Sequence, residues 1–385
     1  MADVKAVKDW AIFCRVVDNY GDIGVCWRLA RQLSAEFGLN VTLWVDDLAS
    51  FARIRPEIAP QLDTQMLEGV QVRHWPAELS PSQAGSAAAV VIEAFACELP
   101  AAYLAAMRAR PTPPVWLNLE YLSAEDWVAG CHCLPSPQQG MAKYFFFPGF
   151  TAQTGGLPSE AQQRSAQAAW NDTAARRWLA PYVGAQALPD DALLVSLFAY
   201  EPAALNPWLA SLITAPQATV LLVPEGRVSA AIDYQGLGLE QHPDGVYRQG
   251  QLWLCPLPML SQDDYDRLLW SCDVNFVRGE DSFVRAQWAA KPLIWHIYPQ
   301  DEGAHLEKLA AFLALYLAQL PPAARAAVQG MMDGWNTDGD LATAWGAYRA
   351  QYPTLAEHAR QWQQSLRQLG DLATNLVRFV ESKVK

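Results

Sequence analysis

The chain is short of positive charge: 28 Lys and Arg stand against 40 Asp and Glu, for a formal net charge of −12. Nonspecific binding to nucleic acid or to an anionic membrane runs on Lys and Arg that neutralise phosphates, so neither partner is expected. A local basic pocket is still compatible with this balance. No run approaches the ~20 uninterrupted apolar residues of a membrane span. The opening MADVKAVKDW lacks the apolar core of a signal peptide, and the expectation is a cytoplasmic protein. The seven cysteines are scattered without a paired framework. Only Cys131-His132-Cys133 is tightly clustered, and its spacing lacks a second ligand pair nearby, so reduced thiols are expected rather than zinc. The dinucleotide fingerprint G-x-G-x-x-G is also missing. The first turn carries only Gly21 and Gly24, which leaves a nicotinamide reading weak. No internal repeat and no low-complexity tract is present.

What is present is apolar bulk. Hydrophobic residues make up 51% and charged residues 18% of 385 residues, a composition that builds large cores and suggests two domains of ordinary size. Most of the 16 tryptophans are expected in those cores, with a few lining a pocket. Residues 11–17 (AIFCRVV) are mostly apolar, the mark of a strand covered on both faces. After the turn 18–24, Cys26, Leu29, Ala30, Leu33 and Phe37 recur at helical spacing, and Gly38 follows as a C-cap. Residues 40–45 form the next strand, completing a βαβ unit. Further strands are expected at 88–92, 115–119 and 143–147. Residues 148–168, rich in Gly, Ser, Gln, Ala and Thr, read as a loop or mobile segment. A helix at about 171–183 leads to a second series of strands at 192–198, 219–223, 251–255, 273–277 and 292–297. Helices are expected at 263–271 and 283–290. The last ~80 residues look all-helical, with Leu372, Leu376, Phe379 and Val380 at helical spacing. Two α/β series imply two doubly wound domains facing each other, with a ligand cleft between them.

Two turns carry chemistry. In RVVDNYGDIG (15–24), Asp18 and Asp22 sit four apart between a strand and a helix. A single Asp there would be read as a helix N-cap. Two at the carboxyl end of a strand point to holding a cation or accepting a proton. Gly21 and Gly24 allow close backbone approach. The second turn is Arg278-Gly279-Glu280-Asp281-Ser282, between strand 273–277 and a helix. Free N–H groups at a helix start attract anions, Arg278 adds a bidentate phosphate donor, and Ser282 can cap or bind a phosphate oxygen. Glu280 and Asp281 alone could merely complement the helix dipole. Together the residues suit a nucleotide diphosphate, and the two turns suit transfer of a sugar from it.

The stretches DNYGDIGVCWRLARQL (18–33), NLEYLSAEDW (118–127), RLLWSCDVNFVRGEDSFVRAQWA (267–289) and WHIYPQDEGAHLEKL (295–309) resemble the protein-arginine rhamnosyltransferases that modify bacterial elongation factor P. The resemblance covers most of the chain. It implies a GT-B glycosyltransferase of two Rossmann-like domains, with dTDP-β-L-rhamnose as donor and no metal or cofactor. It implies inverting transfer to a guanidinium nitrogen of elongation factor P. The implied domains are 1–185 for the acceptor, with helix 365–385 packing back on it, and 186–364 for the nucleotide sugar. By the resemblance Asp22 is the general base, Asp18 matters for activity, and Glu280 is catalytic or positions the acceptor. Asn19 and Gly21 give backbone approach. Arg278, Asp281 and Ser282 surround the phosphates; Tyr200 contacts ribose or phosphate, and Tyr298 is a second phosphate donor. Phe198, Gln262 and Tyr265 fall in the thymidine pocket. The family often places Phe where this chain has Met259, which still packs on an aromatic face. The competing readings are a GT-B transferase with another acceptor and a non-catalytic module that binds elongation factor P.

Overall fold

The computed structural model of the chain describes residues 7–17, 20–184, 188–189, 191–300, 303–337 and 339–384. It divides into two compact units, Met1–Arg164 with Leu366–Lys385, and Ser165–Ser365. The boundary thus falls at 164 rather than at the expected 185. The reason is packing: helix Asp172–Leu179 lies on helix Gln262–Ser271. Trp170 meets Trp270 edge-on at 5.8 Å, and its Nε1 donates to Ser271 Oγ at 3.1 Å.

The first unit is built on β1 (Asp9–Cys14), β2 (Asn40–Val45), β3 (Thr64–Leu67), β4 (Val70–His74), β5 (Val90–Ala94), β6 (Val115–Leu119), β7 (Pro135–Gln138) and β8 (Met141–Phe146). They form one sheet in the order β3-β4-β2-β1-β5-β6-β8-β7, antiparallel only at the edge pairs β3–β4 and β7–β8. Ile12 of β1 stands opposite Leu43 of β2 and Ile92 of β5. From Trp10 on, every residue of β1 is buried, as a strand with helices on both faces requires. Helix Gly21–Phe37 follows it and ends at Gly38, whose φ of 63° and N–H to Ser34 O make the left-handed cap.

The stretch 148–168 departs from expectation. Residues 161–168 belong to helix Ala161–Ala169, and Gly155–Glu160 are buried. A Cβ on Gly155 would stand 2.4 Å from the Phe146 ring, so only glycine fits this approach. Leu157 O accepts from Leu372 N–H at 3.0 Å, which begins helix Leu372–Lys383 against this segment. That last helix also packs on helix Gly21–Phe37. At the end of the segment Glu160 Oε1 accepts from Arg31 Nη2 at 2.8 Å and Arg28 Nη1 at 3.3 Å, all three side chains being buried.

The second unit carries β9 (Leu193–Leu197), β10 (Thr219–Pro224), β11 (Glu240–Gln241), β12 (Tyr247–Gln249), β13 (Leu252–Leu257), β14 (Val274–Arg278) and β15 (Leu293–His296). Their order is β11-β12-β13-β10-β9-β14-β15, parallel from β13 to β15. Phe276 of β14 meets Trp335 at 4.7 Å and Trp208 at 5.0 Å in the core beneath the sheet. Among the parallel strands both sheets reverse their order once, beside β1 (between β2 and β5) and beside β9 (between β10 and β14). Ligands of such folds sit outside the carboxyl ends of the strands at these points. Among the described residues no helix is long and apolar enough to cross a membrane.

Removing the Glu160 charge would leave the buried Arg28 and Arg31 guanidinium groups with less counter-charge, Arg31 keeping Glu68 at 3.6 Å. Glu160→Gln is expected to lose about 3–5 kcal/mol of stability. Urea unfolding followed by circular dichroism checks it; a loss below about 1 kcal/mol would show that Arg28 and Arg31 are neutralised by other groups.

Candidate active site

In the first unit, the turn after β1 delivers Asp22 into the first turn of helix Gly21–Phe37, with Gly21 at its start. Asp22 is not the cap expected of a lone Asp. Tyr20 holds the N-cap position and makes no side-chain cap bond. Instead the Asp22 carboxylate, 3% exposed, accepts from the Val17 N–H at 2.9 Å and from the Tyr121 hydroxyl at 3.4 Å. The carboxylate is therefore buried at the carboxyl end of β1. Asp18 and Asn19 lie outside the described residues.

Tyr121 was part of a motif but not assigned a role by the sequence. It is 41% exposed and stacks on Phe95, centroids 4.4 Å apart with the planes at 15°. Phe95 follows β5, across the reversal point from β1. Phe95, Ala96 and Glu98 all have positive φ, at 55°, 52° and 56°, where side chains other than glycine's are strained. Hydrogen bonds hold them there: Phe95 N–H to Leu119 O (2.7 Å), Ala96 N–H to Asn118 Oδ1 (3.1 Å), Glu98 N–H to Glu93 Oε1 (3.0 Å). Glu93 is itself fixed by Lys143 Nζ at 3.0 Å and Trp116 Nε1 at 3.2 Å. A carboxylate next to a partly exposed aromatic ring is an environment for a cation.

In the second unit the expected donor residues converge. The Arg278 guanidinium lies 4.4 Å over the Phe198 ring and 4.9 Å over the Tyr200 ring. Phe198 meets Tyr265 edge-on at 5.4 Å, and Tyr200 meets Tyr298 at 5.5 Å. Gln262 Nε2 donates to Asp281 Oδ2 at 3.2 Å. Ser282 Oγ accepts from Arg278 N–H at 3.0 Å and donates back to Arg278 O, so this hydroxyl braces the turn. Gly279 takes φ 57° at the turn itself. Glu280 stands at the N-cap of helix Asp281–Ala289, half-buried, without a side-chain cap bond. Met259, two residues past β13, is half-buried.

Arg278 is 9% exposed, and its hydrogen-bond partner is a backbone carbonyl, Ala199 O, at 3.4 Å. Among the described residues no carboxylate pairs with it. Arg285, one turn further on, is by contrast closed by both oxygens of Asp266, at 2.9 and 3.0 Å. An aromatic-stacked guanidinium without a carboxylate is equipped for an incoming anion. Two residues missed in the sequence join here. His296, opposite Arg278 in register, packs edge-on to Tyr200 at 5.2 Å. Burial, with Arg278 beside it, lowers its pKa to about 4. Arg227 lies 5.7 Å over the Tyr200 ring. Burial also pushes the Tyr265 phenol well up. Among the described residues no group of three or more His, Cys, Asp or Glu is placed to hold a metal ion.

The family model described as Elongation-Factor P (EF-P) rhamnosyltransferase EarP matches residues 10–381. A protein-arginine rhamnosyltransferase of Pseudomonas putida is 55% identical over 378 residues, covering 97% of this chain and 99% of its own. That of Pseudomonas aeruginosa is 50% identical over 382 residues, with 97% and 99% covered. A solved structure concerned with EarP-mediated arginine glycosylation of translation elongation factor EF-P has 40% identity and a TM-score of 0.67, covering 97% of this chain and 98% of its own.

The low pKa of His296 has a stability consequence. The folded site favours the neutral imidazole, so stability is present above the ordinary histidine pKa and is lost as pH falls from about 6.5 toward 4. The expected contribution is on the order of 2–3 kcal/mol. Urea unfolding at pH 7 and pH 4.5 should show a smaller acid loss in His296→Gln than in the unsubstituted chain. Equal losses would place the acid sensitivity elsewhere.

Proposed function

The chain belongs to the elongation factor P rhamnosyltransferase (EarP) family, and on that footing we propose that it moves L-rhamnose from dTDP-β-L-rhamnose to an arginine of elongation factor P. Its fold is that of the GT-B glycosyltransferases. The observation that carries the reading is the Asp22 carboxylate, buried at the end of β1 and hydrogen-bonded to the hydroxyl of the partly exposed Tyr121. A buried carboxylate there suits a planar cation, and arginine is an acceptor that needs such a site.

Guanidinium keeps its proton far above neutral pH, which makes it a poor nucleophile. Negative charge near it binds and orients the group. As a nitrogen attacks C1 of rhamnose with inversion, the C1–O bond to the β-phosphate breaks and its electron pair leaves with dTDP. The attacking nitrogen becomes acidic as the C–N bond forms, and its proton passes late to Asp22. Asp18 and Glu280 are the further acids assigned to acceptor and catalysis. The donor takes the second unit: diphosphate at Arg278, with Tyr200, Tyr298, Asp281 and Ser282 around it, and thymidine against Phe198, Met259, Gln262 and Tyr265. Arg278 meets phosphate charge without help from a metal or organic cofactor. An acceptor that is a translation factor suits a cytoplasmic enzyme, and the net charge of −12 suits neither nucleic acid nor a membrane as partner.

Asp22→Asn tests the assignment. The amide oxygen can still accept from Val17 N–H, so folding and dTDP-rhamnose affinity should be retained. Single-turnover transfer to elongation factor P, read by intact mass, should slow by at least about a hundredfold. Near-normal transfer would pass the role of base to Asp18 or Glu280. If the unsubstituted enzyme releases dTDP but adds no mass to elongation factor P, the acceptor is wrong.

A further inference from the structure

The donor site contains one more cation than the reading above uses. Tyr200 and Glu201 follow β9, Arg227 follows its parallel neighbour β10, and Arg278 ends β14 on the other side of β9. Both guanidinium groups lie over the Tyr200 ring, Arg278 at 4.9 Å and Arg227 at 5.7 Å. The turn before Arg227 presses on the same pocket: a Cβ on Gly226 would stand 3.4 Å from the Phe198 ring. Unlike Arg278, Arg227 has a carboxylate. Its Nε donates to Glu201 Oε1 at 2.9 Å, and its Nη2 stands 2.8 Å from Glu201 Oε2. Both side chains are about half exposed, at 50% and 44%, so the pair is open to solvent and weakly held.

A diphosphate ester carries two negative charges, and the leaving dTDP gains more as the bond to the sugar breaks. Arg278 is a single charge, fixed by two rings and a carbonyl. We propose that Arg227 is the second cation of the diphosphate site, and that Glu201 occupies it until phosphate displaces the carboxylate. Glu201 then lies at the mouth of the pocket as a competitor of the ligand. Arg227 meets charge that grows during transfer, so it acts on departure of dTDP as well as on binding. The proposal rests on the donor placement given above.

Calorimetric titration of dTDP into the intact enzyme tests it, with Arg227→Gln, Glu201→Gln and Arg278→Ala compared. Arg227→Gln should weaken dTDP about fivefold, as loss of one charge-assisted contact at a half-exposed site. Glu201→Gln should tighten it about two- to threefold, because the competitor has lost its charge. Arg278→Ala should lose at least about tenfold. If Arg227→Gln binds as the unsubstituted enzyme does while Arg278→Ala loses affinity, the proposal falls and the donor placement stands. If Arg278→Ala is also unchanged, the placement fails and the proposal with it. If Glu201→Gln weakens binding as much as Arg227→Gln, the ion pair only braces the loop, and the proposal is overturned.

Discussion

Parallel strands can be joined only by crossovers, and a crossover returns the chain to the same end of the sheet. That constraint sorts the residues of both units. Strand interiors such as Ile12, Leu43 and Ile92, or Leu222 and Phe276, are closed on both faces, and charge enters there only when paired, as Glu93 is with Lys143. Side chains that meet a ligand are therefore gathered at the carboxyl ends of strands and the turns after them, where the strand order reverses. Asp22 after β1 and Phe95 after β5 flank one reversal; Tyr200 after β9 and Gly279 after β14 flank the other.

Within that frame, buried guanidinium groups are treated in two ways. Arg28 and Arg31 share Glu160, and Arg285 is closed by Asp266. Arg31 also has Glu68 at 3.6 Å, so these groups answer their charge within the unit, and breaking a contact exposes the cost of an uncompensated ion. Arg278 is handled differently. It is fixed in direction by Phe198 and Tyr200, by Ala199 O and by the Ser282 brace on its backbone, while its charge is left for a ligand. Its neighbour His296 answers by staying neutral. Preorganisation of this kind places the positive charge before the anion arrives.

The interior of the fold was legible because parallel strands buried on both faces read as unbroken apolar runs. The expected strands at 40–45 and 115–119 match β2 and β6. The edges were not legible. β3, β7, β11 and β12 are short and partly exposed, and their residues carry no such signal. Residues 155–160 have the composition of a loop, yet they are buried because Phe146, Gln32 and the helix at 372 close over them. At the site, spacing and family motifs led to Asp22, Arg278 and their neighbours. Spacing could not show Asp22 bound to Tyr121, since that contact joins residues 99 apart. Nor could it show the left-handed run after β5, because none of Phe95, Ala96 and Glu98 is the glycine or asparagine that usually marks such backbone.

The anchoring of helix Leu372–Lys383 to Leu157 and to helix Gly21–Phe37 makes the first unit discontinuous: the second unit is inserted into it. On a ribosome the two therefore mature in an order opposite to their numbering. Residues 165–365 emerge as a whole and can close their sheet at once, while the surface that Leu372 and Leu376 cover stays open until the last helix has been made. The long connection adds little to the equilibrium, because loop-closure entropy grows only with the logarithm of length. Its effect is on timing: the unit that bears Asp22 is the last to be sealed.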